Sequence, residues 1–295
     1  MSETVGMIGL GTMGRPMARR LLDCGFSLVL HDRDETVLNL FSDLPGCRIA
    51  ESPAELAKLC QRVITMLPTS DVVETVLFGT DGMAQALLPG SLVMESSTGS
   101  VSQLESQAER LNAMGVHMID APFGRSPREA ARGKLVAMVG GTDAEHAMVA
   151  DLLDALAEKT IIAGPLGYGL RLKLVNNYMA MINHVLTGEV LALGAAIGLG
   201  REQTVSLLST TAAGRGQLLT NFPNKVLRGD ISPDFPVSMG IKDLDMALQL
   251  FHDHGLEAGF GRLARQGFVA AAEAGHGGDD CTAMLKYFDS QMKKP

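Results

Sequence analysis

The stretch Thr4–Asp32, TVGMIGLGTMGRPMARRLLDCGFSLVLHD, decides how the chain folds. An apolar run from Val5 to Ile8 breaks into Gly9-Leu10-Gly11-Thr12-Met13-Gly14. A segment of helical period follows from Pro16 to Leu22, and a second apolar run ends on Asp32. GxGxxG spacing alone is weak, because a chain with 33 glycines produces it by accident. Its position between a strand and a helix makes it strong. The first glycine permits a tight turn, the second lets a pyrophosphate approach the backbone, and the third lets helix and strand pack closely. The helix N-terminus then presents N–H groups to the phosphates. Asp32 lies 18 residues beyond Gly14, where a carboxylate accepts hydrogen bonds from an adenosine ribose and repels a 2′-phosphate. NAD is therefore the expected cofactor. Arg33 beside it leaves NADP open, since an arginine in this turn can accept that phosphate.

The alternation continues outward. From residue 4 to about 162, short β-rich runs such as RVITMLP, SLVMESST, HMIDAP and LVAMVGG are separated by helix-length segments such as ETVLNLFSDL. Strands spaced by helices form βαβ units, which impose a mostly parallel sheet covered on both faces. Beyond AGPLGYG almost no strand-like run remains, and LKLVNNYMAMINHVLTGEVLALGAAIGLG, REQTVSLLSTTAAG and KDLDMALQLFHDHG read as helices. The expected fold is a doubly wound α/β domain over residues 1–164 and an all-α domain over 165–295, joined by a long helix from about Gly169 to Ile197. The absence of charge between Glu189 and Gly200 predicts that this helix packs against other helices or a second subunit.

Composition narrows the function classes. With 295 residues and 46% hydrophobic content, the chain can bury one large or two ordinary cores. Its net charge of −8 gives no basic field for a nucleic acid or an anionic membrane. Cys24, Cys47, Cys60 and Cys281 show no CxxC and no histidine at ligand spacing, so free thiols in a reducing cytosol are expected, with no metal site. The N-terminal segment lacks the pattern of a secretory signal, and no run is read as long enough to span a bilayer.

Two further segments can carry chemistry. Later strand exits in such a sheet point at the cofactor cleft, so Met66-Leu67-Pro68 offers apolar atoms to a nicotinamide ring and Ser97-Thr98 offers hydroxyls. Each is equally compatible with an ordinary strand-to-loop exit. The long helix opens with Gly167-Tyr168-Gly169-Leu170-Arg171-Leu172-Lys173, followed by Asn176 and Asn177. Residues three and four apart share a helix face, so Lys173 projects with both asparagines. A nicotinamide enzyme needs a proton donor with positive charge beside the carbon that exchanges hydride, and a lysine whose pKa burial has lowered serves both needs. The asparagines would orient the lysine or hold the substrate. A lone helical lysine is usually solvated; the flanking glycines, the paired amides and the dinucleotide domain upstream favour the site.

Together GLGTMG, ITMLP, ESST, GxGxxxKLxNN and the later Lys242-Asp243-Leu244 resemble the β-hydroxyacid dehydrogenase family, which includes 3-hydroxyisobutyrate dehydrogenases and tartronate semialdehyde reductases. The likeness runs nearly end to end. It implies a Rossmann-type N-terminal domain, an all-helical C-terminal domain through which dimers or tetramers are built, and reversible oxidation of a 3-hydroxy acid. By the same resemblance Lys173 is the catalytic acid/base, Asn177 its neighbour in the substrate site, Thr98 a nicotinamide contact, and Lys242 a residue that closes over the cofactor.

One departure bears on substrate. Members of the family usually carry a serine and two glycines after the strand-exit proline, whose N–H groups bind the substrate carboxylate. Here the order is Phe123-Gly124-Arg125-Ser126. A guanidinium adds a full charge and a fork of donors to an anion pocket. Glycine, arginine and then a hydroxyl residue is similar to the subgroup that reduces 3-sulfolactaldehyde to 2,3-dihydroxypropane-1-sulfonate. That resemblance implies a sulfonate held by Arg125, Ser126 and Asn177 while Lys173 meets the aldehyde oxygen. Carboxylate semialdehydes (succinic semialdehyde, tartronate semialdehyde) and 3-hydroxyisobutyrate stay open, because arginine binds carboxylates well. The plainer reading of Arg125 is a loop cation pairing with Glu129. Arg128 and Arg132 look like surface residues, and His117 and His184 are expected to be packed. Whether Arg215 and Lys225 reach the anion pocket is left open by the sequence. A non-catalytic binding module and an imine reductase are the rival classes; retention of Lys173 with both asparagines favours the dehydrogenase.

Overall fold

The structure, a computed structural model, describes residues 4–292. The chain divides into two compact units, Met1–Tyr178 and Met179–Pro295. Among the described residues of the first, nine strands form one sheet: β1 (Thr4–Ile8), β2 (Ser27–His31), β3 (Cys47–Ile49), β4 (Arg62–Thr65), β5 (Leu92–Glu95), β6 (His117–Asp120), β7 (Phe123–Gly124), β8 (Leu135–Gly140) and β9 (Ala157–Gly164). Their order is β3-β2-β1-β4-β5-β6-β8-β7, with β9 also paired to β8. The six strands from β3 to β6 run parallel, whereas β8 runs antiparallel to β6 and β7. The expected doubly wound α/β architecture is present, with an antiparallel turn-back at one end.

Helices α1 (Gly14–Asp23), α2 (Glu35–Leu38), α3 (Pro53–Leu59), α4 (Ser70–Phe78), α5 (Val101–Asn112), α6 (Pro127–Ala130) and α7 (Asp143–Leu156) connect the strands. Strand alternation sends side chains to two cores. Val5, Met7, Leu28 and Leu30 join Met17 and Leu21 of α1 and Leu152 of α7 in one core. Ile8, Val29 and Val63 join Leu56 of α3, Val73 of α4 and Leu104 of α5 in the other. Buried on both faces, these strands read as near-continuous apolar runs. ETVLNLFSDL forms only the short α2 before breaking into turns. Asn39, Ser42 and Asp43, poor helix formers, lie directly downstream.

Helix α8 (Tyr168–Ala196) runs for 29 residues and passes from the first unit into the second. The second unit continues with α9 (Arg201–Thr210), α10 (Ala212–Arg215), α11 (Val237–Asp253), α12 (Gly259–Ala271) and α13 (Met284–Gln291). Among the described residues its β structure is one isolated bridge, Pro236 with Asp280. One sequence expectation about α8 needs correction. By length and composition it qualifies as a membrane-length apolar helix, with a mean hydropathy of 1.3 over its most apolar window. Only 6% of that window is buried within this chain, so of the two packing alternatives the second subunit is the one left open.

Candidate functional site

A cleft of about 880 Å³ opens at the carboxyl edge of the parallel strands, where β1 has β2 on one side and β4 on the other. That reversal of strand order is where open α/β sheets leave room for a ligand. Its walls include Gly9, Gly11, Thr12, Met13 and Gly14 from the β1 exit, Asp32 and Arg33 from the β2 exit, and Met66, Leu67 and Pro68 from the β4 exit. The glycines divide their work as their spacing predicts. Gly9 has φ +95°, and a Cβ there would lie 2.2 Å from the Met66 carbonyl oxygen. At Gly14 a Cβ would collide with the Gly9 carbonyl at 1.9 Å. Gly11 instead faces open space, with nothing within 4 Å of its Cβ position. Helix α1 carries no side-chain cap and no acidic residue in its first turn, so its N–H groups and positive dipole end remain available to an anion.

Asp32 also braces this loop. Its carboxylate accepts the Leu10 N–H at 2.6 Å and the Asp34 N–H at 2.9 Å. A bare glycine, an uncapped helix start and an acidic residue at the second strand exit fit a dinucleotide's pyrophosphate and ribose. Val37, Pro53, Val72 and Val76 complete an apolar wall at this cleft. Sequence reading missed them, because they belong to helices α2, α3 and α4, whose facing only the sheet order reveals. Thr98, in the β5 exit, is half-buried but does not line the cleft. Its neighbour Ser97 accepts the Leu67 N–H at 2.8 Å and so ties the β4 and β5 exits together.

Lys173, Asn176 and Asn177 lie on the first part of α8, within the first unit. The start of that helix is set by glycine geometry. Gly167 has φ +87°, and a Cβ on Gly169 would sit 2.4 Å from the Met138 carbonyl oxygen of β8. Lys173 is half-buried, its Nζ donates to the Phe123 carbonyl at 2.6 Å, and burial lowers its pKa. Asn176 donates its amide to Asn177 at 3.2 Å. The lysine therefore meets the chain just past β6, on the same carboxyl edge as the glycine loop, since β1, β4, β5 and β6 are parallel neighbours. None of these three residues lines the cleft itself.

Gly124 is buried, and Arg125 and Ser126 are exposed. Arg125 has φ +82°, pairs with Glu158 of β9 at 2.6 Å and donates to the Lys134 carbonyl at 2.8 Å. The expected pairing with Glu129 is not the one formed. Glu129 instead takes the Ser126 N–H at 3.2 Å together with the Ser126 hydroxyl, capping α6. His117 and His184, expected to be packed, are exposed: His117 opens β6 at its outer end, and His184 lies on the uncovered helix α8. In the second unit, Lys242 pairs with the adjacent Asp243 at 3.0 Å. Lys225 is held by Asp230 and Asp234 and donates to the Ser232 carbonyl at 2.9 Å.

Comparison with known proteins agrees with this geometry. A family described as the NAD binding domain of 6-phosphogluconate dehydrogenase matches residues 4–164. A second, described as NAD-binding of NADP-dependent 3-hydroxyisobutyrate dehydrogenase, matches residues 167–288. The chain is 36% identical to a 3-sulfolactaldehyde reductase of Escherichia coli (strain K12), over 96% of this chain and 94% of that one. The crystal structure of a 3-hydroxyisobutyrate dehydrogenase from Salmonella typhimurium superposes with a TM-score of 0.66 at 28% identity, covering 97% of this chain and 100% of the other. An imine reductase from Myxococcus stipitatus, in complex with NADP+, reaches a TM-score of 0.88 at 18% identity over 97% and 99% of the two chains, a likeness of fold alone. The glycine loop, the strand order and the end-to-end likeness converge: this chain belongs to the β-hydroxyacid dehydrogenase family and is an oxidoreductase that uses NAD or NADP.

Proposed function

We propose that the enzyme interconverts a short anionic semialdehyde and its hydroxy acid, that 3-sulfolactaldehyde is the aldehyde, and that NADH is preferred to NADPH. The observation that carries this reading is that the anchor of the lysine and the root of the arginine lie two residues apart on one segment. Phe123, whose carbonyl holds the Lys173 ammonium at 2.6 Å, is followed by a buried Gly124 and then by Arg125. A proton donor anchored at residue 123 and an anion receptor rooted at residue 125 suit a substrate whose carbonyl and anionic group are a few bonds apart. The 36% likeness to a 3-sulfolactaldehyde reductase supports the sulfonate.

A nicotinamide dinucleotide held by the Gly9–Gly14 loop and Asp32 would supply the hydride, or accept it in the reverse direction. Lys173 gives its Nζ proton to the aldehyde oxygen as the C–H bond forms, and takes a proton from solvent after the alcohol leaves. Burial, which lowers its pKa, makes that proton easier to give. Asn177 and Asn176 orient the amine and the substrate. Arg125 and Ser126, with Asn177, hold the anion, which must displace Glu158 from the guanidinium and Glu129 from the hydroxyl. Asp32 favours NADH by repelling a 2′-phosphate, and Asp34 and Asp81 add negative charge to the same rim. The enzyme works in the cytoplasm as a homodimer or homotetramer, with the uncovered faces of α8 buried between subunits.

A carboxylate semialdehyde is the second reading, favoured by the planar fork of Arg125, which fits a carboxylate as well as a sulfonate. Initial rates of NADH oxidation with sulfolactaldehyde and with succinic semialdehyde, repeated with NADPH, separate the two. A large preference for the sulfonate is expected; equal or better use of the carboxylate removes the sulfonate assignment. Lys173→Ala should lower kcat by roughly a hundredfold or more while NADH still binds. Turnover near that of the unaltered enzyme would take the lysine out of its role.

A further inference from the structure

Asp120 ends β6 with only 1% of its surface exposed. It accepts the Gly167 N–H on one oxygen at 2.7 Å and the Leu170 N–H on the other at 2.6 Å. These are the residue just before α8 and the third residue within it, the two donors that a capping box satisfies from inside a helix. Gly167 has no side chain to do this, so the cap comes from the sheet. Room for it is made on both sides: a Cβ on Gly140 would lie 2.4 Å from Asp120 Oδ1, and one on Gly169 would lie 2.9 Å from Oδ2.

We propose that Asp120 is the positioning residue for Lys173, its buried carboxylate fixing the start of α8 so that the lysine one turn further on stands at the site. The inference rests on the reading of Lys173 as the proton donor. Two contacts leave the same short segment. Asp120 grips the helix backbone, and three residues later the Phe123 carbonyl takes the lysine ammonium at 2.6 Å. The first turn of α8 and the tip of its lysine are thereby referenced to one short segment, from the end of β6 to the start of β7.

A buried carboxylate is an expensive cap, because a neutral acceptor would satisfy an N–H without the desolvation of a charge. Here the burden is doubled. Glu95 of β5 is the direct register partner of Asp120, is also buried, and accepts the Ser97 N–H at 2.6 Å and the Thr65 hydroxyl. Burial pushes the pKa of Glu95 up, and that of Asp120 up to about 6. Neutral acceptors could satisfy the same donors without the desolvation of two adjacent carboxylates. A site that needs a helix start held at its positive end by a full charge accounts for one of them.

The test is Asp120→Asn in the full chain, assayed beside Lys173→Ala. The side-chain amide keeps one acceptor oxygen but turns an NH2 toward an N–H, so one of the two bonds is lost. Expected is a tenfold or greater fall in kcat, with KM for NADH within twofold of the unaltered enzyme and a melting temperature at pH 7 that is unchanged or higher. A kcat within twofold overturns the proposal. So does a joint loss of kcat, NADH binding and melting temperature, which would make Asp120 a structural cap only. If Lys173→Ala keeps its turnover, the reading of the lysine fails whatever Asp120 does; if Lys173→Ala is inactive and Asp120→Asn is fully active, only the present inference fails.

Discussion

Arg125 holds a backbone conformation that side chains avoid. Among the described residues it is the one non-glycine with a positive φ, at 82°, and a Cβ there crowds the neighbouring carbonyl. Its pair with Glu158 is exposed at both ends, with 40% and 43% of the side chains accessible, so the pair itself contributes little to stability. A strained residue whose side-chain contacts add little stability points to a use other than stability, and binding an anion at the guanidinium is the use proposed above. Arg125→Gly should therefore keep or raise the melting temperature, because glycine adopts this φ freely. KM for the anionic substrate should rise at least tenfold, while KM for NADH stays constant. Steady-state kinetics with thermal melting would check both, and equal loss of substrate and cofactor binding would sink the anion receptor. The partner of Arg125 was not legible in the sequence. Local spacing pointed to Glu129, but Ser126 claims that carboxylate for the cap of α6, and the carboxylate that remains comes from β9, brought near only by sheet pairing.

At the scale of elements, the glycine loop was readable because each glycine answers a local demand: a turn at Gly9, open space at Gly11, a close crossing at Gly14. The start of α8 was half readable. Gly167, Gly169 and Lys173 stand in the right order, but their clamp, Asp120, lies on another strand and gives no periodic signal. That clamp has a consequence for stability against pH. An acid whose folded pKa is raised binds its proton more tightly folded than unfolded, so its ionisation opposes folding. For Asp120 the rise from 3.8 to about 6 corresponds to roughly 3 kcal/mol against the folded state above pH 6. That opposition fades as pH falls from 6 toward 4. Glu95, also raised by burial, acts with the same sign. The urea midpoint of the unaltered enzyme should thus gain from these groups on going from pH 7 to pH 5, and Asp120→Asn should show less of that gain. An identical pH dependence in the two proteins would show that Asp120 is not the titrating group.

At the scale of the whole molecule, the second unit was legible as helical, yet the surroundings of α8 were not. Apolar residues on every side of a helix predict burial, and sequence cannot say by what. In the single chain Val175 is 68% exposed, Tyr178 74%, Met181 58% and Val185 51%. Each such side chain contributes about 1.5–3 kcal/mol when it is fully removed from water. A row of them along one helix therefore favours association strongly, and a second copy of the same helix presents the same row. Met181 and Val185 lie four residues apart and share a face. The double change Met181→Glu with Val185→Glu should turn an oligomer into a monomer of 31.3 kDa, with the α/β unit and its NADH binding intact. Sedimentation velocity would measure the change. An unaltered protein that already sediments as a monomer, or one that pellets with lipid vesicles, would mean that something other than a second copy covers α8.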